Sequence, residues 1–204
     1  SPFATFRELL ARMSLGDAAG VLDIIRTTWG PMVQSDPAST FWEKVSVRGG
    51  PEPYPGAVAS ATSLAHAWSA GPTYVLSTLT LGVRPLAPGY VRAAVEPLPG
   101  DLNWAEGTVP TPLGGLGVRW QRFAGDEWLL EVRVPVGVAA DICFPVAAPV
   151  LPAADGVPAE ADGLREGRPC FAGLGGGLYR WRTPGAPSEF SLPPLAPAQD
   201  SMAR

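Results

Sequence analysis

The sequence predicts an α+β chain divided by segment, with helices of the hairpin or toroid kind first and an antiparallel β-sandwich behind them. Three observations predict it. Apolar residues recur at helical spacing through residues 1–29, the pattern changes period at Leu81-Gly82, and strand-like runs follow at roughly ten-residue intervals.

Ser1 and Pro2 suit the N-cap and first-turn positions of a helix on which Phe3, Phe6, Leu10 and Met13 share a face. Gly16 interrupts that pattern, and Asp17 is placed to cap a second helix. Val21, Leu22, Ile25 and Trp29 form its apolar face. Gly30-Pro31 is expected to end it, because proline has no N–H to give a helix interior. Two helices joined so closely make a helical hairpin. The run from Gly49 to Gly56 is a loop by composition, being almost wholly glycine and proline. Residues 60–81 return to helical character through Leu64, Ala67, Trp68, Val75, Leu76 and Leu79, with Gly71-Pro72 expected to kink or split the helix.

After Gly82 the segments Tyr90–Glu96, Leu116–Phe123, Trp128–Val134 and Ala139–Phe144 alternate or run β-branched between Pro-Gly, Gly-Gly and Gly-Asp turns. That spacing suits a sandwich of antiparallel sheets over about residues 83–183. Residues 145–169 are rich in Pro, Ala, Gly and Asp and read as a surface excursion, with Gly175–Arg182 as a closing strand. Residues 184–204 are dense in proline and short of apolar periodicity, and so are expected to be disordered.

A 204-residue chain that is 46% hydrophobic has ample material for one or two cores. The start at Ser1-Pro2, without methionine, reads as a segment of something longer or a processed product, so the compartment stays open. Fifteen basic residues are scattered over a chain of net charge −4, and no stripe forms that would neutralise nucleic-acid phosphates. No run of apolar residues is long enough for a membrane span. Cys143 and Cys170 are able to form one disulfide, but two cysteines in strand-like settings read first as separate buried thiols.

The residues fit for chemistry lie between Thr40 and Trp120. Glu43 follows Phe41-Trp42 and precedes the Gly/Pro-rich loop, a setting expected at a helix start. Its carboxylate suits acid–base work on a sugar, with an aromatic neighbour such as Trp42 offering a face for the ring. The same position equally suits a glutamate stabilised by a helix dipole. His66, the one histidine, falls in the predicted helix of residues 60–81, either as a hydrogen-bonded core residue or as a donor to a sugar hydroxyl. No second histidine and no Cys or Asp at ligand spacing supports a metal site, and no cofactor motif is present. Asp101, after Pro99-Gly100, and Glu106, before Gly107, read as structural carboxylates. Ser63 and Ser69 flank His66 without a Gly-x-Ser-x-Gly, and Gly175-Gly176-Gly177 lacks the Lys-Ser/Thr of a phosphate loop.

Five motifs occur in one order: Gly30-Pro-Met32, Thr40-Phe-Trp-Glu43, His66-Ala-Trp-Ser69 with Pro72-Thr-Tyr74, Leu81-Gly-Val-Arg-Pro-Leu86, and Gly100-Asp-Leu-Asn-Trp-Ala-Glu-Gly-Thr-Val-Pro-Thr-Pro112. Together, over roughly residues 1–182, they resemble the C-terminal part of bacterial and fungal α-L-rhamnosidases. The resemblance implies inverting glycosidases with an (α/α)6 barrel followed by a β-sandwich. Residues 1–82 would then be a partial α/α toroid, the last helices of the six-hairpin catalytic barrel. It implies Glu43 as the general base that activates water, with His66 and Trp42 at the rhamnose site and no cofactor. The partners implied are rhamnose-containing glycosides and an upstream barrel segment of the parent protein. The family's general acid belongs to an upstream acidic motif of Asp, Arg and Glu that this chain does not contain, so the chain alone is expected to be inactive. Two other readings stand beside it: a carbohydrate-binding or structural sandwich module without chemistry, and a helix-plus-sandwich interaction protein whose aromatics are only core.

Overall fold

The computed structural model describes residues 1–34, 40–46, 63–154 and 156–191. These form two compact units, one of Ser1–Gly82 with Leu98–Asp101 and one of Val83–Pro97 with Leu102–Arg204.

In the first unit, α1 (Pro2–Ser14) starts on Ser1 with proline in its first turn. Its backbone leaves the helix at Gly16, where a φ of +71° suits glycine. Asp17 caps α2 (Ala18–Val33), accepting a hydrogen bond from Gly20 N at 2.9 Å while Arg12 holds its other oxygen at 2.6 Å. The helix does not end at Gly30-Pro31. It continues to Val33, because a proline in the last turn costs little of the remaining hydrogen-bond ladder and the extension buries Met32. The unit's core gathers Leu9, Val21, Trp29, Met32, Trp42, Val75 and Leu79.

The predicted helix of residues 60–81 is also revised. Residues 60–62, like the Gly49–Gly56 loop, lie outside the described residues, and from Ser63 the chain runs as an irregular segment to His66. A single 3-10 turn follows at Ala67–Ser69. Gly71-Pro72 then splits the helical stretch instead of kinking it, opening α3 (Gly71–Val75), which widens into a π turn over Leu76–Thr80. The segment Leu98–Asp101 rejoins this unit, with Leu98 N bonded to Leu79 O and Asp101 paired to Arg26. Gly100 is required there: its φ is +58°, and a Cβ would stand 2.8 Å from Leu22.

The second unit is made of two five-stranded sheets, a β-sandwich in character. The strands are β1 (Val83–Pro85), β2 (Arg92–Val95), β3 (Trp104–Thr111), β4 (Gly114–Arg122), β5 (Trp128–Val134), β6 (Ala139–Cys143), β7 (Leu151–Pro152), β8 (Gly163–Arg165), β9 (Arg168–Leu174) and β10 (Gly177–Arg182). One sheet is ordered β1-β2-β6-β9-β8 and the other β3-β4-β5-β10-β7. Pairing is antiparallel except between β2 and β6, which run parallel. Parallel neighbours need a long crossover, and here the β3-β4-β5 meander of the other sheet supplies it.

Alternation sets two adjacent rows across the second sheet. In one, Trp120, Leu130 and Trp181 are in register and buried. In the next, Glu106, Arg119, Glu131 and Arg180 are in register with alternating charge. Arg119 pairs with Glu106 at 3.2 Å, and Arg180 pairs with Glu131. Trp181 stacks on Phe171 of the first sheet with ring centroids 4.4 Å apart, tying the two sheets together.

Three further expectations change. The stretch read as an excursion over 145–169 contributes β7, β8 and the start of β9. Cys143 and Cys170 stand opposite each other on β6 and β9 and form a disulfide rather than two thiols. Residues 184–191, expected to be disordered, lie along the second sheet, with Phe190 on the Arg119 guanidinium at 4.0 Å and Ser191 N bonded to Gln121. Residues 192–204 lie outside the described residues.

Candidate functional site

Glu43 and His66 come from two segments of the first unit that pair side by side. Glu43 N donates to Ser63 O at 2.9 Å, and His66 N donates to Phe41 O at 2.7 Å. Thr40 Oγ1 adds a bond to Leu64 O at 2.7 Å. The two candidates therefore occupy neighbouring rungs of one short ladder. Neither is helical: Glu43 lies at a bend, and His66 has extended backbone immediately before the 3-10 turn. Both are half-buried.

The Glu43 carboxylate is oriented by the same partner as its backbone, since Ser63 N donates to Glu43 Oε2 at 3.2 Å. His66 stands edge-on to Trp68, their ring centroids 6.0 Å apart. Trp42 is placed differently from the expectation. It is 3% exposed, part of the core, with its backbone N against Met32 Sδ at 3.3 Å, so its ring has no open face for a sugar. An aromatic that is open is Trp68, 69% exposed and two residues beyond His66. By sequence Trp68 falls among the apolar residues of a helix; the signal for another role is its position in His66-Ala-Trp-Ser69, beside a polar ring.

Asp101 and Glu106, the other carboxylates singled out in the sequence, have structural partners. Arg26 holds both oxygens of Asp101, at 2.7 and 2.9 Å, and this hydrogen bonding keeps the Asp101 carboxyl below its ordinary pKa. Glu106 belongs to the charge row of the second unit. Buried Glu96 pairs with both Arg84 and Arg165. Among the described residues no group of three His, Cys, Asp or Glu is arranged to hold a metal, and no helix is long and apolar enough to cross a membrane.

Residues 82–155 match the bacterial alpha-L-rhamnosidase C-terminal domain family. The chain is therefore similar to the C-terminal portion of α-L-rhamnosidases, most clearly over residues 82–155. A curated α-L-rhamnosidase of Alteromonas sp. (strain LOR) is 33% identical over 103 residues, which are 50% of this chain and 10% of that protein. Among solved structures, the GH78 family rhamnosidase of Bacillus sp. GL1 is 33% identical with a TM-score of 0.59, covering 71% of this chain and 15% of that one. The α-L-rhamnosidase of Streptomyces avermitilis, solved with L-rhamnose, shares the fold at 22% identity and a TM-score of 0.65, covering 84% and 17%. That of Dictyoglumus thermophilum does so at 19% and 0.67, covering 89% and 20%. This rhamnosidase-like chain thus spans 10% to 20% of these relatives' lengths.

Proposed function

We propose that the chain is the C-terminal part of a glycoside hydrolase that removes terminal α-L-rhamnose with inversion. Glu43 is the general base and His66 a hydrogen-bonding residue of the rhamnose pocket. The observation that supports this reading is the pairing of residues 40–43 with 63–66, which brings the segments of Glu43 and His66 together, with the Glu43 carboxylate held by Ser63 N. A base must be held in one orientation to activate water, and the bond from Ser63 N to the carboxylate, with the backbone anchored to the same residue, supports that.

Inversion needs a second carboxyl roughly 6.5–9.5 Å away, with water between. In this reading the second carboxyl is supplied by an upstream segment. The helices of residues 1–82 close the (α/α)6 barrel to which that segment belongs, and the sandwich of residues 83–183 is the domain that follows it. Leu15 at the end of α1 and Val33 at the end of α2, each more than three-quarters exposed, suit helices with neighbours still to be added. The substrate is a rhamnose-terminated glycoside, and the 204-residue chain alone turns none over.

The test is hydrolysis of an aryl α-L-rhamnoside by this chain and by the longest natural polypeptide containing it, with the anomer first released read by NMR. Inverted product from the long form, and none from the short, supports the reading. Robust turnover by the short form refutes it. The family match lies almost wholly in the second unit, which favours one alternative: a sandwich module that binds or supports without chemistry. Rhamnose binding without hydrolysis by the long polypeptide would select it.

A further inference from the structure

We infer that the last turn of α2 is the scaffold of the candidate site, with Trp29 the positioning residue for His66 and Met32 the positioning residue for Glu43. The inference rests on the function proposed above. Trp29 and Met32 stand three apart in one helix, a spacing that puts both on one face. Both belong to the core of the first unit, at 4% and 3% exposure. Each holds a polar group from a different segment of the site.

Trp29 holds the segment of His66. Its indole N–H donates to Ser69 O at 2.7 Å. Ser69 ends the 3-10 turn that follows His66, with Ser69 N on His66 O at 2.9 Å, and is itself fully buried. The backbone of His66 is thus tied on both sides, its N to Phe41 O and its O, through Ser69, to α2.

Met32 holds the segment of Glu43. Phe41 O and Glu43 N pair with residues 63–66, and the N–H of Trp42 between them is directed to Met32 Sδ at 3.3 Å. A thioether is a weak acceptor, but Trp42 is 3% exposed, and a buried amide N–H left without a partner is destabilising. The sulfur takes that donor and fixes Trp42, and with it the neighbouring Glu43.

This arrangement needs α2 to run through Pro31. A helix ending at Gly30-Pro31 would leave Met32 off the face of Trp29. Instead the last turn continues to Val33 and is closed by Gln34 N on Gly30 O at 3.1 Å. The Gly30-Pro-Met32 motif therefore lets one rigid element grip both segments from behind, while the bonds between residues 40–43 and 63–66 join them side by side.

The experiment measures steady-state hydrolysis of an aryl α-L-rhamnoside by the longest natural polypeptide containing this chain, with urea unfolding of each variant alongside. Trp29→Phe keeps a ring but removes the N–H donor, and acts through the binding residue His66. KM is expected to rise about tenfold with kcat within about threefold. Met32→Leu keeps the volume but removes the acceptor, and acts through the base. Here kcat is expected to fall about tenfold with KM within about threefold. Where either variant fails to fold, benzothienylalanine in place of Trp29, or norleucine in place of Met32, removes the same polar atom at nearly constant shape. Lower stability with unchanged kcat and KM, or kcat and KM altered alike in both variants, would reduce the two residues to core packing and overturn the inference. If that result accompanies loss of turnover in Glu43→Gln, the scaffold falls and the site reading stands. A wild-type polypeptide that hydrolyses no α-L-rhamnoside removes both.

Discussion

Glu43 and Ser63 exchange two hydrogen bonds, Glu43 N to Ser63 O and Ser63 N to Glu43 Oε2, so one residue fixes both the backbone and the carboxylate of the other. The donor to the carboxylate is main chain, so substitution of the Ser63 side chain leaves it in place. The orientation of Glu43 is therefore a property of the paired segments rather than of one neighbouring side chain.

Glu43→Gln in the longest natural polypeptide is expected to lower kcat by about 10²–10⁴-fold while leaving L-rhamnose affinity nearly unchanged, since glutamine keeps the shape but takes no proton from water. Steady-state kinetics with a parallel binding titration checks this. Near-normal turnover would remove Glu43 from the base role.

Replacing Trp181 with alanine is expected to destabilise the sandwich by about 3–5 kcal/mol, because the ring is fully buried, stacks on Phe171 and donates to Pro158 O. Urea unfolding followed by circular dichroism measures it. A loss under about 1 kcal/mol would mean that the sheets do not depend on this stack.

The Cys143–Cys170 bond joins β6 to β9, and the double variant Cys143→Ser/Cys170→Ser is expected to lose about 2–4 kcal/mol. Unfolding of wild type with and without reductant gives the same difference. Free thiols found in the unreduced, unfolded protein would contradict the pairing.

The acid response follows from two depressed carboxyls. Hydrogen bonding from Gly20 N, then from Arg12, holds Asp17 below the ordinary value of 3.8, and Arg26 does the same for Asp101. A carboxyl depressed on folding contributes stability above its unfolded pKa and loses it as pH falls through the folded one. Asp101→Asn is therefore expected to lower the melting temperature slightly near neutral pH, with the gap to wild type closing in acid. Both partners are exposed, so the effect is small and shrinks with salt. A gap that does not vary with pH would show that charge plays no part.

The strands most visible in the sequence are those with one buried and one polar face. Leu116, Val118 and Trp120 alternate with Gly117 and Arg119, and the resulting period of two marks β4 from the residue order alone. β8 and β9 carry no such mark, because Gly163–Arg165 is short with no buried face and Pro169 interrupts the next run. The Cys143–Cys170 pairing is hidden for the same reason, since one of its two strands has no periodicity to show. At the candidate site the residue types are legible but their roles are not. A tryptophan beside a carboxylate looks like a sugar platform, yet Trp42 is buried in the core and Trp68, in an apolar run, stands open. Segment pairing decides which ring faces water, and Ser63, the partner of Glu43, lies 20 residues further along the chain, out of reach of local periodicity.

The parallel pairing of β2 with β6 has a consequence for how the chain is made. As the polypeptide leaves the ribosome, Arg92–Val95 emerges with no neighbour on the β6 side until Ala139–Cys143 follows. The intervening meander can meanwhile close on itself through hairpins between consecutive strands. The β3-β4-β5 part of one sheet thus pairs between near neighbours during synthesis, while β2 waits for β6, made after that meander. The nascent Arg92–Val95 edge is the place where a stalled or truncated product would most readily recruit a stray strand.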